Sequence, residues 1–486
     1  PDVLSLTIYL EYNNTVLSYT SFTDNIGFSS IAVTAQSSSV LKILISGPFP
    51  AGTSIPDGNV VDVHFDYLGG FSDIKFHTTT YGTWASTYTE LPPNFTVFNF
   101  TNADVTNGSV NGTYYSTTID GGDWNTSTDW TAGVIPNSWA NVTVASGTEV
   151  TTSGNATANN VTIETGGKLT LSNTLTATGI FLIESASGSN GSFINNGTLS
   201  AGTTSVQSYV TAGQWHGISS PVTGLTANDL YLGGSPDVWL KSYNESNDTY
   251  TSITELSQSL GNMEGWMTWI ASGNQTYTFT GDFRSGPVSR SVTHSGNGFN
   301  FVGNPYTSAI DWDAGTGWTK TNVNDAIYIY ASAGPTWATY IGGVGTNGGT
   351  QNIAMNQGFF VQSSAAGSLA MTTGVCVHSS VGFMKTREVG QIIRLQLTDT
   401  GLTDETVIRF IDGATTDFDG SLDAHKFFSF NTDYPQIFST SNDFMSINSL
   451  PEANEAIGLD VTGADGNSMT ISVTEALDFD NLYLKD

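Results

Sequence analysis

The chain has 486 residues, enough for three or four domains, because single hydrophobic cores rarely grow past about 250 residues. With 38% hydrophobic and 12% aromatic residues it can build packed cores, which excludes a disordered chain. Forty-three acidic residues against 13 basic ones give a net charge of −30 with no basic cluster, so nucleic acid and anionic lipid are not expected partners.

Only 12% of the residues are charged, so the polar surface must be built from Ser, Thr, Asn and Gly. The single cysteine, Cys376 in "GVCVHSS", rules out internal disulfides and reads as a small buried strand residue. No run approaches about 18 apolar residues, so membrane insertion is not expected. The chain opens at "PDVLSLTIYLEY", already inside a strand pattern, and stops at "LYLKD"; both ends read as cuts in a longer precursor. Helical periodicity is nearly absent. Short runs rich in Val, Ile, Thr, Phe and Tyr are punctuated by Gly, Asn and Asp roughly every 8 to 12 residues. The fold class is therefore all-β: several β-sandwich or jelly-roll-like modules in series with a short β-solenoid segment.

Residues 1–113 alternate cleanly, with Leu4, Leu6, Ile8 and Leu10 on one face, as a half-buried strand of a sandwich requires. The order "LSLTIYLEYNNTVLSY", "LKILISG", "IPDGNVVDVHFDYLGG" resembles the cohesin-like β-sandwich modules of secreted bacterial proteins. In 114–208, "NVTV" at 141, "NVTI" at 160 and "GIFLI" at 179 recur 19 residues apart, with "TEVTT" and "GKLTL" between them. A fixed short period with Gly and Asn at the corners predicts a few turns of a β-solenoid. The segment "GDWNTSTDWTAGVIPNSWANVTVASG" resembles one common in large surface proteins exported by the Bacteroidetes type IX secretion system.

Residues 209–385 read as a duplication. "HGISSPVTGLTANDL" at 216 parallels "FVGNPYTSAIDWD" at 301, with Pro221 answering Pro305. "VWLKSYNESNDTYTSI" parallels "IYIYASAGPTWATYI", and Gly265-Trp266 answers Gly358-Phe359. The stretch "NFVGNPYTSAIDWD" is thus a reused structural corner, not a unique catalytic loop. Residues 386–486 alternate again, and "ATTDFDGSLDAHK … PQIFS … MSINSLPE … LYLKD" resembles the β-sandwich that precedes the C-terminal sorting domain of type IX-secreted proteins. The resemblance as a whole implies a multi-domain surface or secreted protein.

Motifs for chemistry are sparse. The six histidines lack metal-ligand spacing, and no H-E-x-x-H, G-x-S-x-G elbow or P-loop occurs. The best cation candidate is "TDFDGSLDAHK", where Asp417, Asp419 and Asp423 offer hard oxygen ligands for Ca²⁺ around Gly420, without the twelfth-position Glu of an EF-hand loop. The competing reading of these carboxylates is turn capping. Trp215, Trp239, Trp266, Trp269 and Trp337 lie on alternating strands and are candidates for stacking against glycans, with core packing as the alternative.

The expected function is that of a non-catalytic extracellular protein at a bacterial cell surface: an adhesin, a stalk or a filament-forming subunit. End-to-end self-association by strand addition is expected first at "PDVLSLTIYLEY". Alternatives are a carbohydrate-binding or accessory region of a secreted hydrolase, or a cohesin-type docking module for a dockerin-bearing partner.

Overall fold

The computed structural model describes residues 3–25, 31–46, 60–68, 72–79, 82–90, 97–99, 101, 108–110, 113–116, 121–133, 135–138, 140–231, 238–332, 334, 336–379, 391–440, 443–451, 456–477, 479, 483 and 485. Regular structure among them is strand, apart from three short 3-10 turns. No helix there is long and apolar enough to cross a membrane.

In the N-terminal sandwich the strand Val3–Glu11 is central. It pairs antiparallel with Val40–Ser46 on one side and with Ser72–Phe76 and Thr87–Glu90 on the other. Leu17–Asp24 and Val61–Tyr67 form a second sheet, and Leu10, Tyr12, Val16, Leu17 and Leu41 fill the core. Because both edges of Val3–Glu11 are already hydrogen-bonded, this segment is not the open strand that the sequence suggested for subunit addition.

The 19-residue period becomes two parallel ladders. Asn141–Val144 lies in register beneath Asn160–Ile163, so that Asn141 faces Asn160 and Val144 faces Ile163. Glu149–Thr151, Lys168–Leu171 and Ser192–Asn195 stack the same way. Val142, Val161, Phe181, Val150, Leu169 and Phe193 point inward and are all at most 2% exposed. The repeated asparagines form a corner ladder, with Asn159 and Asn160 both donating Nδ2–H to Asn141 Oδ1 at 3.1 and 2.8 Å. Trp124 and Trp130 of "GDWNTSTDW" join this core edge-to-face, with centroids 5.1 Å apart. The last strand of the stack, Thr198–Val210, also pairs antiparallel with Gln275–Thr280. The sequence boundary at 208/209 therefore runs through a strand, and solenoid and duplicated region share one sheet.

The duplication is visible in strand order. The first copy runs Trp215–Ile218, Trp266–Ile270, Val238–Asn244, Thr249–Ser252; the second runs Phe299–Gly303, Gly358–Met371, Trp318–Ala331, Thr336–Ile341. Ile218 lies opposite Trp266 as Val302 lies opposite Phe359, which matches the alignment of Pro221 with Pro305. The copies then meet about an internal two-fold. Ser219 N–H donates to Asn356 O at 2.8 Å, and its counterpart Gly303 N–H donates to Met263 O at 3.0 Å. The bridges Ile218–Gln357 and Val302–Glu264 are exchanged in the same way. Met263 and Asn356, each two residues before the shared glycine, both adopt left-handed backbone, with φ of 52° and 61°. The quoted corner is thus scaffold: Asn304 is fully buried, donates Nδ2–H to Ser308 O and Ala354 O, and accepts from Tyr306 N–H.

The C-terminal sandwich orders its strands Gly458–Thr462, Gln436–Thr440, Phe444–Leu450, Leu402–Phe410, Ile392–Asp399, Thr470–Leu477. One face carries Leu395, Leu397, Ile408 and Ile437 into its own core. Ile392, Val407, Ala424 and Ile447 instead join Tyr328, Trp337 and Phe360 of the second copy in a common core. These modules are welded, not strung on linkers.

Two expected outcomes follow from the joint between the copies. A Cβ added to Gly303 would sit 2.0 Å from Ser219 Oγ and 2.3 Å from Ser219 Cβ. Gly303→Ala should therefore destabilise by about 3 kcal/mol in urea unfolding, and a loss below about 1 kcal/mol would show that this approach is not a constraint. Glu245, at the end of the first copy's hairpin strand, accepts from Thr293 Oγ1–H and from the backbone N–H of Ser295, Gly296 and Gly298 at 2.7–2.9 Å. Burial raises its carboxyl pKa, but these four bonds outweigh burial and leave it at about 2. The depressed pKa means stability that is present above the ordinary glutamate pKa of about 4.3 and lost as pH falls from there through about 2. The melting temperature of Glu245→Gln should lie well below wild type at neutral pH and converge on it near pH 2; a gap independent of pH would contradict this.

Candidate functional site

Three of the five candidate tryptophans come together. Trp215 faces Trp269, and Trp269 faces Trp239, across three neighbouring antiparallel strands. Directly opposed residues share a sheet face, so the three indoles form one row. The Trp239 and Trp269 rings are 4.8 Å apart at 70°. Trp239 is 44% exposed, while Trp215 and Trp269 are half-buried. Lys241, two residues along the strand from Trp239 and hence on the same face, holds its ammonium 4.8 Å above the Trp215 ring.

The other two tryptophans are core residues. Trp266 is an odd number of positions from Trp269, so it points through the opposite face and is 1% exposed in the core shared with the solenoid. Trp337 is 2% exposed, packs against Tyr330, Phe360 and Phe427, and donates Nε1–H to Phe428 O at 3.2 Å. Neither offers a face to a ligand.

The internal two-fold supplies a comparison within the chain. In the second copy Phe299 and Gln362 stand where Trp215 and Trp269 do, and Ala326, next to the Ile327–Val361 pair, stands where Trp239 does, two residues before the Tyr328 that the sequence alignment set against Trp239. That row is covered by the C-terminal sandwich: Phe427 packs edge-on to Phe299 at 4.7 Å, His425 bonds Gln362 Oε1 at 2.9 Å, and Ala326 is 1% exposed. In the first copy the same row ends in Trp239, open to solvent.

The aspartates at 417–423 are arranged differently from a calcium loop. Asp423 is buried, and its two oxygens accept from Asp419 N–H at 2.7 Å and Ser449 N–H at 2.7 Å. Asp419 Oδ1 accepts from Ser421 N–H and Oγ–H. Asp417 contributes its backbone carbonyl to Thr415. Burial pushes the Asp423 carboxyl up despite these bonds, which disfavours the charged form a cation needs. Among the described residues no group of three His, Cys, Asp or Glu side chains is placed to hold a metal. The turn-capping reading accounts for the carboxylates of Asp419 and Asp423.

A cleft of about 810 Å³ opens between the second copy and the C-terminal sandwich, lined by Trp312, Trp318, Lys320, Asp325, Arg409 and Asp412. Its aromatic surface is already occupied, because Lys320 sits 3.7 Å over the Trp312 ring and pairs with Asp325 at 3.2 Å. Cys376 is half-buried beneath this region, and burial pushes its thiol up to about 11, which disfavours the thiolate at neutral pH. Sequence reasoning missed Lys241 as part of the row; only the pairing register places it there.

Residues 114–486 match a family described as a domain of unknown function (DUF8693), and the chain belongs to that family. The match runs without a break from the solenoid through the duplicated region to the C-terminal sandwich, the portion that the structure welds together. No curated protein and no solved structure matches the chain.

Asp423→Asn places an amide donor against a backbone N–H and should cost about 2 kcal/mol. The expected drop in melting temperature is the same in EDTA and in excess Ca²⁺. A wild-type stabilisation by Ca²⁺ that the variant abolishes would restore the metal reading.

Proposed function

We infer that this chain is a non-catalytic, extracellular surface adhesin that binds neutral glycans at the Trp215–Trp269–Trp239 row. The observation that carries the reading is the open indole row beside its covered counterpart in the second copy. The C–H face of a pyranose stacks on an indole, and Lys241 stands beside the rings to donate to a hydroxyl. The welded solenoid, duplicated region and sandwich act as a rigid support, which keeps the aromatic face preorganised. The resemblance to type IX-secreted surface proteins supports a location outside a bacterial cell.

A glycan array of neutral oligosaccharides probed with the whole chain tests this. Trp239→Ala truncates the most exposed ring and should weaken the best ligand by roughly 30-fold, about 2 kcal/mol, with the melting temperature unchanged. Absence of any glycan binding by the wild type, or binding indifferent to Trp239→Ala and Trp269→Ala, would overturn the assignment.

A further inference from the structure

Away from the indole row, the C-terminal sandwich contains a lysine and an aspartate in direct contact with no access to water. The side chains of Lys426 and Asp404 are 2% and 0% exposed, and Nζ touches Oδ2. Asp404 lies on the strand Leu402–Phe410. Lys426 is held at a fixed position by its backbone N–H, which donates to Phe444 O at 2.7 Å. Both partners are thus immobilised in contact, the situation in which a bimolecular step becomes effectively unimolecular.

Burial makes this resting ion pair costly. Removing two charges from water is expensive, and a buried pair can relieve that cost by moving one proton from Nζ to the carboxylate, leaving a neutral amine beside a neutral acid. Burial lowers the Lys426 pKa, in the direction this transfer needs, although the charge of Asp404 opposes it. The carboxyl is polarised by donors on both oxygens: Ile437 N–H reaches Oδ2 at 2.8 Å, and Asn347 Nδ2–H reaches Oδ1 at 2.8 Å. Donors so placed stabilise the oxyanion of a tetrahedral intermediate.

We propose that Lys426 and Asp404 join in an intramolecular isopeptide bond formed by the folded sandwich itself. The lone pair of neutral Nζ attacks Cγ of the protonated carboxyl and forms the C–N bond. The C–O bond to the protonated oxygen breaks, and that hydroxyl departs with the second Nζ proton as water. No electron changes hands beyond these pairs, and no co-reactant is needed. The product is a neutral amide whose carbonyl keeps a donor from the same set. It replaces a buried charge pair with a covalent tie between the Leu402–Phe410 strand and the segment after Ala424–His425, closing a loop across positions 404 and 426.

The mass of the intact, natively purified chain tests this directly. A chain lighter by one water than its sequence is expected, with Lys426→Met showing no such loss. Trypsin adds the location. Cleavage after Arg394, Arg409, Lys426 and Lys485 should release 395–409, 410–426 and 427–485 as separate peptides if Lys426 is free. The bond would instead give one branched peptide joining 395–409 to 410–485, uncut at Lys426. The full sequence mass with clean cleavage at Lys426 would overturn the proposal. So would a loss of water without the branched peptide, which places the dehydration elsewhere.

Discussion

The constraint on which the rest depends is the approach of two backbones at the internal two-fold. Gly217, Gly265, Gly303 and Gly358 each lack the Cβ that would strike the other copy, at 2.9, 2.6, 2.0 and 2.8 Å from its nearest atom. This lets the corner after Ile218 hydrogen-bond to the turn before Gly358, and the corner after Val302 to the turn before Gly265. An isologous contact of this kind brings the two sheets side by side with the same faces turned the same way. The inner faces then divide: Trp266 and Ile218 fill the core continuous with the solenoid, while Val302 and Phe359 fill the second copy's own core. The outer faces form the platform on which the C-terminal sandwich sits.

Duplication followed by unequal covering explains why one face is available. The sandwich lays Phe427, Ala424 and Val407 over Phe360 and Tyr328 of the second copy, shares their core with Met267 of the first copy, and reaches Tyr250, where Phe430 packs at 5.5 Å. Beyond that edge the first copy presents indoles where the second presents Phe299, Gln362 and Ala326. A large aromatic side chain at an uncovered position gives no core packing in return for its exposed area. Trp239 therefore stands apart from Trp266 and Trp337, whose identical side chains are fully used inside the protein.

How much of this was legible in the sequence depended on the range of the signal. The solenoid was readable because "NVTV" and "NVTI" recur at the register in which they stack, so a local period maps onto a non-local contact. The duplication was readable because Pro221, Pro305, Gly265 and Gly358 mark backbone geometry that few other residues tolerate. The site was only half readable. Trp215, Trp239 and Trp269 and the core residues Trp266 and Trp337 look alike in sequence, since face and cover are set by partner strands and by a domain more than 100 residues away. The aspartates of 417–423 were ambiguous for a similar reason: the Ser449 N–H that takes up Asp423 lies on a distant strand. Val3–Glu11 looked open because a sequence does not say which strand ends up central.

Charge decides what kind of ligand suits the platform. The chain carries a net −30, and several of its few cations are committed to joints among the described residues. Arg394 ties Glu405 and Glu475 to Gly345 O of the second copy, Arg409 holds Gly342 O and Leu422 O, and Lys168 and Arg290 pair with Glu149 and Glu264. Lys241 is different, for it lies over an aromatic ring of the row itself. An acidic ligand approaching that row would meet one cation against a strongly negative molecule, a net repulsion at any distance beyond direct contact. A neutral sugar feels no such field. On the proposed reading it would gain stacking on the rings and a donor from Lys241 without that repulsion, so uncharged glycans suit the row better than sialylated or sulfated ones.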